Sequence, residues 1–252
     1  MFDLTGRTAF VTGASRGIGQ VIAVALAQAG ADVALAARSE EGLNQTAAQI
    51  TALGRKAFVL PLDVTRQDDV NAAVNRAIEL LGHIDVVLNN AGGSNFIVPF
   101  LDLRIAGWEK LLKLNLDSTI YVCQAVGGHM RERGTGSVIN VASVAGLSAA
   151  PGLIGYGAAK AAVVSVTKTL AVEWAAHNVR VNALCPGWTA TDLNRNLWDT
   201  PDGGAGIVSN VPLRRWARAE EMTGPAVFLA SDASSYMTGQ VLIVDGGQLA
   251  SA

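Results

Sequence analysis

The chain has 252 residues, of which 50% are hydrophobic and 16% are charged. A chain of this length and hydropathy buries enough apolar surface to fold without disulfide or metal cross-links, which excludes disorder as its dominant state. Basic and acidic residues nearly balance, at 19 and 21 with a formal net charge of −2, so we expect neither nucleic acid nor a membrane surface as a partner.

Short β-branched apolar runs alternate along the chain with longer segments whose apolar residues recur at helical spacing. Apolar runs with few polar interruptions are typical of strands buried on both faces of a parallel sheet. The alternation predicts a single α/β domain over residues 1–252, a Rossmann-type doubly wound fold with about seven parallel strands and helices on both faces. In chain order the predicted elements are strand Thr8–Val11, helix Gly17–Ala29, strand Val33–Ala36, helix Glu40–Leu53, strand Ala57–Leu60, helix Gln67–Leu81, strand Ile84–Leu88, helix Ile105–Arg131, strand Val138–Val141, helix Tyr156–Ala176, strand Val179–Leu184, helix Ala219–Ser231 and strand Val241–Val244.

One segment late in the chain, residues 194–210, shows no clear period and contains several glycines and a proline. A long irregular segment inside a compact domain is more often a binding loop than a structural strut. We therefore expect a substrate lid around residues 188–212.

Cysteine and histidine are rare in this sequence. Cys123 and Cys185 have no Cys or His neighbour at metal-ligand spacing, and the three histidines are scattered, so we expect no metal site and no disulfide framework. The first eleven residues lack the basic and apolar regions of a signal peptide. Together these features favour a cytoplasmic location.

The first predicted strand leads into a glycine-rich turn, and a helix begins directly after it. Glycines let the backbone approach a pyrophosphate closely, and the free N–H groups at a helix start can bind it. The alternative is a tight turn between strand and helix that binds no ligand. The residues expected to bind a dinucleotide here are Gly13, Ser15, Arg16, Gly17, Ile18 and Gly19.

The end of the second predicted strand distinguishes NADP from NAD. A site selective for NAD places an Asp or Glu there, about 20 residues after the glycines, to bind the ribose 2′-hydroxyl. This chain has Ala37 at that place, followed by Arg38, and Arg16 lies in the glycine turn. Two guanidinium groups suit a 2′-phosphate, so we predict NADP(H) as the cofactor. The alternative is a pair of solvated surface arginines.

Tyr156 and Lys160 are four residues apart in a predicted helix, so they share one helical face. An ammonium beside a phenol favours the phenolate. Free tyrosine titrates near pH ~10, so it needs that help to act as an acid or base near neutrality. Ser143 follows the strand Val138–Val141, at the sheet edge where ligands bind, and we expect it to bond a substrate oxygen. For the Tyr–Lys pair alone, an ordinary helix face is the alternative.

Taken in order, these motifs resemble those of the short-chain dehydrogenase/reductase family. The resemblance covers essentially the whole chain, from Thr12 to Gly247. It also includes Asp63-Val64, Asn89-Asn90-Ala91-Gly92, Asn115, Pro186-Gly187 with Thr191, and a closing Val244-Asp245-Gly246-Gly247. Several motifs in the right order are far more specific than any one of them.

The resemblance implies a role for each catalytic residue. Tyr156 is then the general acid in carbonyl reduction and the general base in alcohol oxidation, and Ser143 polarises the carbonyl oxygen. Lys160 lowers the pKa of Tyr156 and holds the nicotinamide ribose. Asn115 holds a water that links Lys160 to solvent.

The resemblance also implies cofactor contacts outside the glycine turn. Asp63 and Val64 are expected at the adenine and Asn90 near the adenine ribose, whereas the segment after Pro186 holds the carboxamide. The implied set is Asp63, Val64, Asn90, Ala91, Gly92, Tyr156, Lys160, Pro186, Gly187, Thr189 and Thr191. From the residues alone, Asn115 is equally a mid-helix surface residue, Asp63 a helix N-cap, and residues 89–92 a plain turn.

We therefore expect an oxidoreductase of EC 1.1.1 type that uses NADP(H) to transfer a hydride between nicotinamide and a carbonyl or secondary alcohol, as a ketoreductase does. The alternatives are an NAD-linked sugar or polyol dehydrogenase and a catalytically silent regulator that binds the cofactor. Within the family, the chain resembles 3-oxoacyl-acyl-carrier-protein reductases and sugar or polyol dehydrogenases.

The resemblance implies a homotetramer that binds a small-molecule substrate. The subunits would pair through the two long helices, Ile105–Arg131 and Tyr156–Ala176. The pocket would be bounded by residues 93–96, by the stretch after Ser143 and by the lid. Carrier-protein reductases use an Arg near the end of the Tyr–Lys helix to dock their carrier, and His177 at that position here counts against a carrier partner.

Overall fold

The structure is a computed structural model that describes residues 2–94 and 96–251. Its strands are β1 (Thr8–Thr12), β2 (Asp32–Ala37), β3 (Ala57–Pro61), β4 (Val86–Asn89), β5 (Gly136–Val141), β6 (Val179–Pro186), β7 (Thr189–Ala190), β8 (Ala217–Arg218) and β9 (Val241–Val244). Its α-helices are α1 (Gly17–Gln28), α2 (Glu40–Ala52), α3 (Gln67–Leu81), α4 (Ile105–Leu112), α5 (Ser118–Arg133), α6 (Ile154–Trp174), α7 (Arg195–Trp198), α8 (Ala205–Val208) and α9 (Thr223–Ala230).

Seven of the strands form one parallel sheet in the order β3-β2-β1-β4-β5-β6-β9. From β1, the strands β2 and β3 are added in turn on one side, whereas β4 pairs with the other side of β1. The strand order therefore reverses between β1 and β4, and ligands of open α/β sheets bind at such a point, outside the carboxyl ends of the strands. The Rossmann-type, doubly wound fold predicted from the sequence is confirmed.

Alternate residues of each central strand face two different hydrophobic layers. In β1, Val11 packs in one layer with residues of α1 and α9, including Leu26 and Leu229. Phe10 packs in the other with residues of α3 and α5, including Val74. All five side chains are fully buried. Burial on both faces explains why these strands read as continuous apolar runs.

The structure divides two helices that the sequence predicted as continuous. The predicted helix Ile105–Arg131 is α4, one π-helical turn at Lys113–Asp117, and α5, which ends at Gly134 in the left-handed conformation (φ 66°). The predicted helix Ala219–Ser231 is a 3-10 turn, Ala219–Met222, followed by α9. Hydrophobic spacing does not separate these helix types, because all three keep a similar apolar face.

The segment predicted as irregular contains α7 and α8, each four residues long. Such short helices leave almost no periodic signal in a sequence. Before this segment, β7 pairs with β8 in a separate two-stranded parallel sheet. In residues 2–94 and 96–251, no helix has both the length and the apolar character needed to cross a membrane.

Candidate active site

The predicted site residues gather at the carboxyl edge of the sheet, around its switch point. The glycine turn follows β1, Asn90 to Gly92 follow β4, and Ser143 follows β5 after one intervening residue. Pro186 ends β6, and Gly187 leads from it to β7. Parallel strands present their carboxyl ends on one side, so segments distant in sequence meet here.

Tyr156 and Lys160 lie in the first two turns of α6, and their side chains are adjacent. The Lys160 ammonium nitrogen is 5.7 Å from the centre of the Tyr156 ring. Burial raises the pKa of the Tyr156 phenol, and the nearby Ser143 hydroxyl lowers it by a smaller amount. The phenol therefore keeps its proton near neutral pH, which suits a proton donor.

Lys160 is held by the strand beneath it. Its side chain is buried, and Nζ donates a hydrogen bond of 2.8 Å to the Val141 carbonyl at the end of β5. Burial lowers the pKa of Lys160 from 10.5 to about 8, because the charged form has lost its hydration. The ammonium is thus desolvated beside the phenol.

Ser143 is fixed by its backbone and by a residue that the sequence did not single out for function. Its backbone is extended (φ −168°, ψ 155°), and its Oγ accepts a hydrogen bond of 3.2 Å from the Ala145 N–H. Behind it lies the buried thiol of Cys185, the last residue but one of β6. Cys185 packs in the core, directly behind Ser143.

Asn115 lies in the π-helical turn and is completely buried. Its Oδ1 accepts from the Gly93 N–H at 2.7 Å, and its Nδ2 donates to the Gly93 carbonyl at 2.9 Å and to Leu111 at 3.0 Å. A Cβ on Gly92 would lie 2.6 Å from Asn115 Oδ1 and 3.2 Å from Lys160 Nζ. The alternative that Asn115 is a mid-helix surface residue is therefore wrong. Its buried side chain bonds the loop after β4, and that loop packs against Lys160.

The glycine turn has the close packing that a phosphate cradle requires. Gly13 has φ +66°, and a Cβ there would lie 2.6 Å from Asn90 Nδ2 and 3.0 Å from the Ala91 Cα. Asn90 Nδ2 donates to the carbonyl oxygens of Thr12 and Gly13, each at 3.2 Å, so the Asn90 amide braces the turn. The structure thus places the Asn90 side chain on the backbone of the turn.

The start of α1 leaves its N–H groups available to an anion. The N-cap residue is Arg16, and in residues 16–20, all of them described, no side chain caps the helix and no acidic residue lies in its first turn. Gly17 has φ +57°, a conformation that favours glycine. Ser15 packs against Gly42 at the start of α2, and Ile18 against the core, so both hold the turn in place. These features fit a dinucleotide pyrophosphate.

The predicted selectivity residues lie at the end of β2. Ala37 is the last residue of that strand and is buried, whereas Arg16 and Arg38 are exposed. In the part of the chain that the structure describes, neither guanidinium is within ion-pair distance of a carboxylate. Both are therefore free to contact an anionic ligand.

Asp63 and Val64 follow β3 beside Arg38. Asp63 Oδ1 accepts from the N–H and the hydroxyl of Thr65, at 3.0 Å and 2.8 Å. These bonds, the backbone one first, hold the pKa of Asp63 below its ordinary value, and Arg38 contributes to the same shift. Asp63 closes a local turn, and the N-cap of α3 is Arg66, so the N-cap alternative for Asp63 is wrong. Val64 is buried.

The segment after Pro186 leads from the end of β6 to the glycine turn. A Cβ on Gly187 would lie 2.8 Å from the Asp245 Cα. Thr189 is buried in β7, and Thr191 Cγ2 lies 3.6 Å from the Cβ position of Gly17.

The predicted pocket residues are partly brought together. Leu193 Cδ2 lies 2.5 Å from the Cβ position of Gly93, so the lid touches the loop after β4. Trp188 packs edge-to-face on Trp216, with ring centres 5.5 Å apart. Asn95, which falls within the predicted pocket boundary at residues 93–96, is outside the described residues.

Comparison with known proteins adds a family match. The protein-family model described as Enoyl-(Acyl carrier protein) reductase matches residues 13–248 of this chain. The chain is 40% identical to gluconate 5-dehydrogenase of Gluconobacter oxydans (strain 621H), over 98% of this chain and 96% of that protein. It is 39% identical to a 3-oxoacyl-[acyl-carrier-protein] reductase of Synechocystis sp. (strain ATCC 27184 / PCC 6803 / Kazusa), over 99% of both chains.

A solved structure has the same fold. It is a gluconate 5-dehydrogenase from Burkholderia cenocepacia J2315 in complex with NADP and tartrate, with a TM-score of 0.94 and 37% sequence identity. The match covers 100% of this chain and 98% of that one. Similarity therefore extends over the whole described sheet and the edge that carries the site.

Proposed function

The chain belongs to the short-chain dehydrogenase/reductase family, and we propose that it is an oxidoreductase that uses NADP(H) to interconvert a carbonyl and a secondary alcohol in a small-molecule substrate. The observation that carries the proposal is the cluster of Ser143, Tyr156 and Lys160 beside the glycine turn. A protonated phenol, a neighbouring hydroxyl and a desolvated ammonium meet at one edge of the sheet.

The chain's own residues supply positioning and a proton. Tyr156 donates its phenol proton to the carbonyl oxygen in reduction, and takes it back in oxidation. Ser143 donates a hydrogen bond to the same oxygen, where negative charge develops. A bound nicotinamide dinucleotide supplies or accepts the hydride. Lys160 places a positive charge beside the phenol, and this charge stabilises the phenolate that forms once the proton has left.

Asn115 acts through the loop after β4. Its amide bonds both backbone groups of Gly93, and the adjacent Gly92 lies against Lys160 Nζ. We assign Asn115 the role of holding this loop in place, so that the loop packs against Lys160 without displacing the Lys160 ammonium from the site. The water link to solvent that the family resemblance implies stays a prediction.

We propose that Arg16 and Arg38 select NADP(H) through its 2′-phosphate. Support comes from their exposure, their lack of ion pairs in the described chain and the absence of a carboxylate at Ala37. Arg38→Leu should lower kcat/KM with NADPH by about tenfold to a hundredfold and leave kcat/KM with NADH unchanged. Equal kcat/KM for NADPH and NADH in the wild type would contradict the assignment. An NADP(H) preference favours reduction as the working direction.

The proposed function is tested with a panel of ketones, sugars, sugar acids and acyl thioesters, following loss of NADPH absorbance. We expect turnover of at least one class. Tyr156→Phe should abolish that turnover while NADPH fluorescence titration still reports binding. Near-normal turnover in Tyr156→Phe would remove Tyr156 from the mechanism. NADPH binding without turnover over the whole panel would instead favour a silent, cofactor-binding regulator.

The remaining proposals concern organisation. We propose one domain over residues 1–252, with residues 188–212 as a lid over the substrate, and a cytoplasmic protein whose two thiols are free. We also propose a homotetramer that pairs the helices α4, α5 and α6. Phe100, Leu101 and Ile105, which are 67%, 93% and 70% exposed, form apolar surface beside α4 and support it. Light scattering should give four times the chain mass, and the mass of one or two chains would contradict it.

A further inference from the structure

Asn194, a residue of the lid, caps the 3-10 turn Asp192–Asn194 and makes three side-chain hydrogen bonds with the segment that follows β6. Its Nδ2 donates to the Thr189 carbonyl at 2.9 Å. Its Oδ1 accepts from the Thr191 N–H at 2.9 Å and from the Thr191 hydroxyl at 3.1 Å. The sequence marked no function for Asn194.

The orientation of this side chain is set by its partners. A carbonyl oxygen only accepts and a backbone N–H only donates, so Nδ2 must face Thr189 and Oδ1 must face Thr191. In a parallel sheet, one residue of a strand bonds two groups of the neighbouring strand. These groups are the carbonyl of one residue and the N–H of the residue two positions further on. The Asn194 amide therefore replaces a missing strand next to β7.

A second lid residue bonds the same segment. Trp198 Nε1 donates to the Thr191 carbonyl at 2.9 Å. Every polar group of Thr191 is thus bonded within the lid, by Asn194 or Trp198, and its methyl group lies over Gly17 of the phosphate cradle. The lid and the cofactor cleft are linked through one threonine.

The bond from the Thr191 hydroxyl has a chemical consequence. Its proton is committed to Asn194 Oδ1, so the oxygen presents only lone pairs to its surroundings. An oxygen in that state accepts a hydrogen bond and donates none. It suits a ligand group that carries N–H donors, such as a primary carboxamide.

We propose that Asn194 is a positioning residue for the cofactor. It turns the Thr191 hydroxyl into an acceptor for the carboxamide N–H groups of the nicotinamide ring, and it holds Thr189 and Thr191 in place to receive that end of the molecule. The proposal rests on the proposed function, because it assumes that the cleft binds a nicotinamide dinucleotide.

The test compares ligands that do and do not carry a carboxamide, by calorimetric titration. The variant is Asn194→Leu, which keeps the shape and removes every bond, and the control is Asn196→Leu, an exposed asparagine two residues further on. Asn194→Leu should weaken NADP⁺ about tenfold, because the three hydrogen bonds of the Asn194 amide no longer hold the segment. Adenosine 2′,5′-bisphosphate, which lacks the nicotinamide end, should bind both variants as it binds the wild type.

A third ligand tests the polarity of the threonine. The 3-acetylpyridine analogue of NADP⁺ has a methyl group in place of the amide nitrogen. The wild type should prefer NADP⁺ over this analogue, and Asn194→Leu should lose most of that preference. A purely structural role would weaken both dinucleotides equally.

Asn194→Asp provides a check that does not depend on the leucine variant folding well. It keeps the acceptors and places a carboxylate oxygen against the Thr189 carbonyl, so it should weaken NADP⁺ near pH ~7.5. Protonation restores a donor to that carbonyl. The affinity of Asn194→Asp relative to wild type should therefore recover toward pH ~5, near the raised pKa of the introduced carboxyl.

The outcomes separate the two proposals. If Asn194→Leu binds NADP⁺ as tightly as wild type, or loses the bisphosphate to the same extent, the role of Asn194 is refuted. A constant ratio of Asn194→Asp to wild-type affinity across pH refutes it as well. If the wild type itself binds neither NADP⁺ nor the bisphosphate, the proposed function has failed, and the role of Asn194 fails with it.

Discussion

Replacing Lys160 by methionine should stabilise the cofactor-free protein while it abolishes turnover. The ammonium is buried, and its pKa falls from 10.5 to about 8 on folding. That fall corresponds to about 3 kcal/mol of free energy that folding loses by keeping the charged form out of water. Methionine has a similar length and no charge, so the variant avoids this loss. It gives up the bond to the Val141 carbonyl, worth about 1 kcal/mol.

The net gain is about 2 kcal/mol near pH ~7, which for a chain of this size is about 4–8 °C in Tm. The effect has a defined pH dependence. Below the folded pKa of about 8 the wild type carries the whole penalty. The penalty declines above that pH and is gone above the unfolded pKa of 10.5, where the lysine is neutral in both states. The Tm advantage of the variant should therefore shrink between a pH of about 8 and a pH of about 10.5.

Thermal unfolding followed by circular dichroism measures this difference in the absence of cofactor. Lys168→Met is the matched control, because Lys168 is exposed on the same helix, and it should change the free energy of unfolding by less than about 0.5 kcal/mol. The reasoning is refuted if Lys160→Met is less stable than wild type at neutral pH. It is also refuted if the Tm difference stays constant as the pH rises.

Three further outcomes follow from packing and titration. Gly19→Ala should abolish NADPH binding, because a Cβ there collides with the Asn90 amide and the Gly13 carbonyl, whereas Gly206→Ala, with open space around it, should bind normally by fluorescence titration. Burial raises the pKa of Cys123 to about 12 and that of Cys185 to about 11, so mass spectrometry should find neither alkylated by iodoacetamide near pH ~8 until urea is added. Burial, with help from nearby cations, lowers the pKa of His129, whose Nε2 accepts a backbone N–H before β4. The free energy of unfolding should therefore decline as the pH falls below ~6.5, because the unfolded state binds a proton at His129 more readily. In urea titrations His129→Gln should show a smaller decline. An equal dependence of the free energy of unfolding on pH in His129→Gln and wild type would contradict this role of His129.

Much of the fold could be predicted from the sequence because its signals are local. The seven strands of the main sheet lie within two residues of their predicted ends, since buried parallel strands are short, continuous apolar runs. The glycine turn and the Tyr156–Lys160 pair are also local, because a turn and one helical repeat each lie within a few residues. The family motifs in their order pointed to the same sheet edge.

The contacts that complete the site were decided only by the tertiary structure. The π-helical turn places the buried Asn115 amide on Gly93, which lies 22 residues away in sequence. The Cys185 thiol reaches the backbone of Ser143 because β5 and β6 are neighbours in the sheet. No periodicity or spacing encodes such bonds, because they depend on the direction of side chains whose backbones meet only after the sheet has formed.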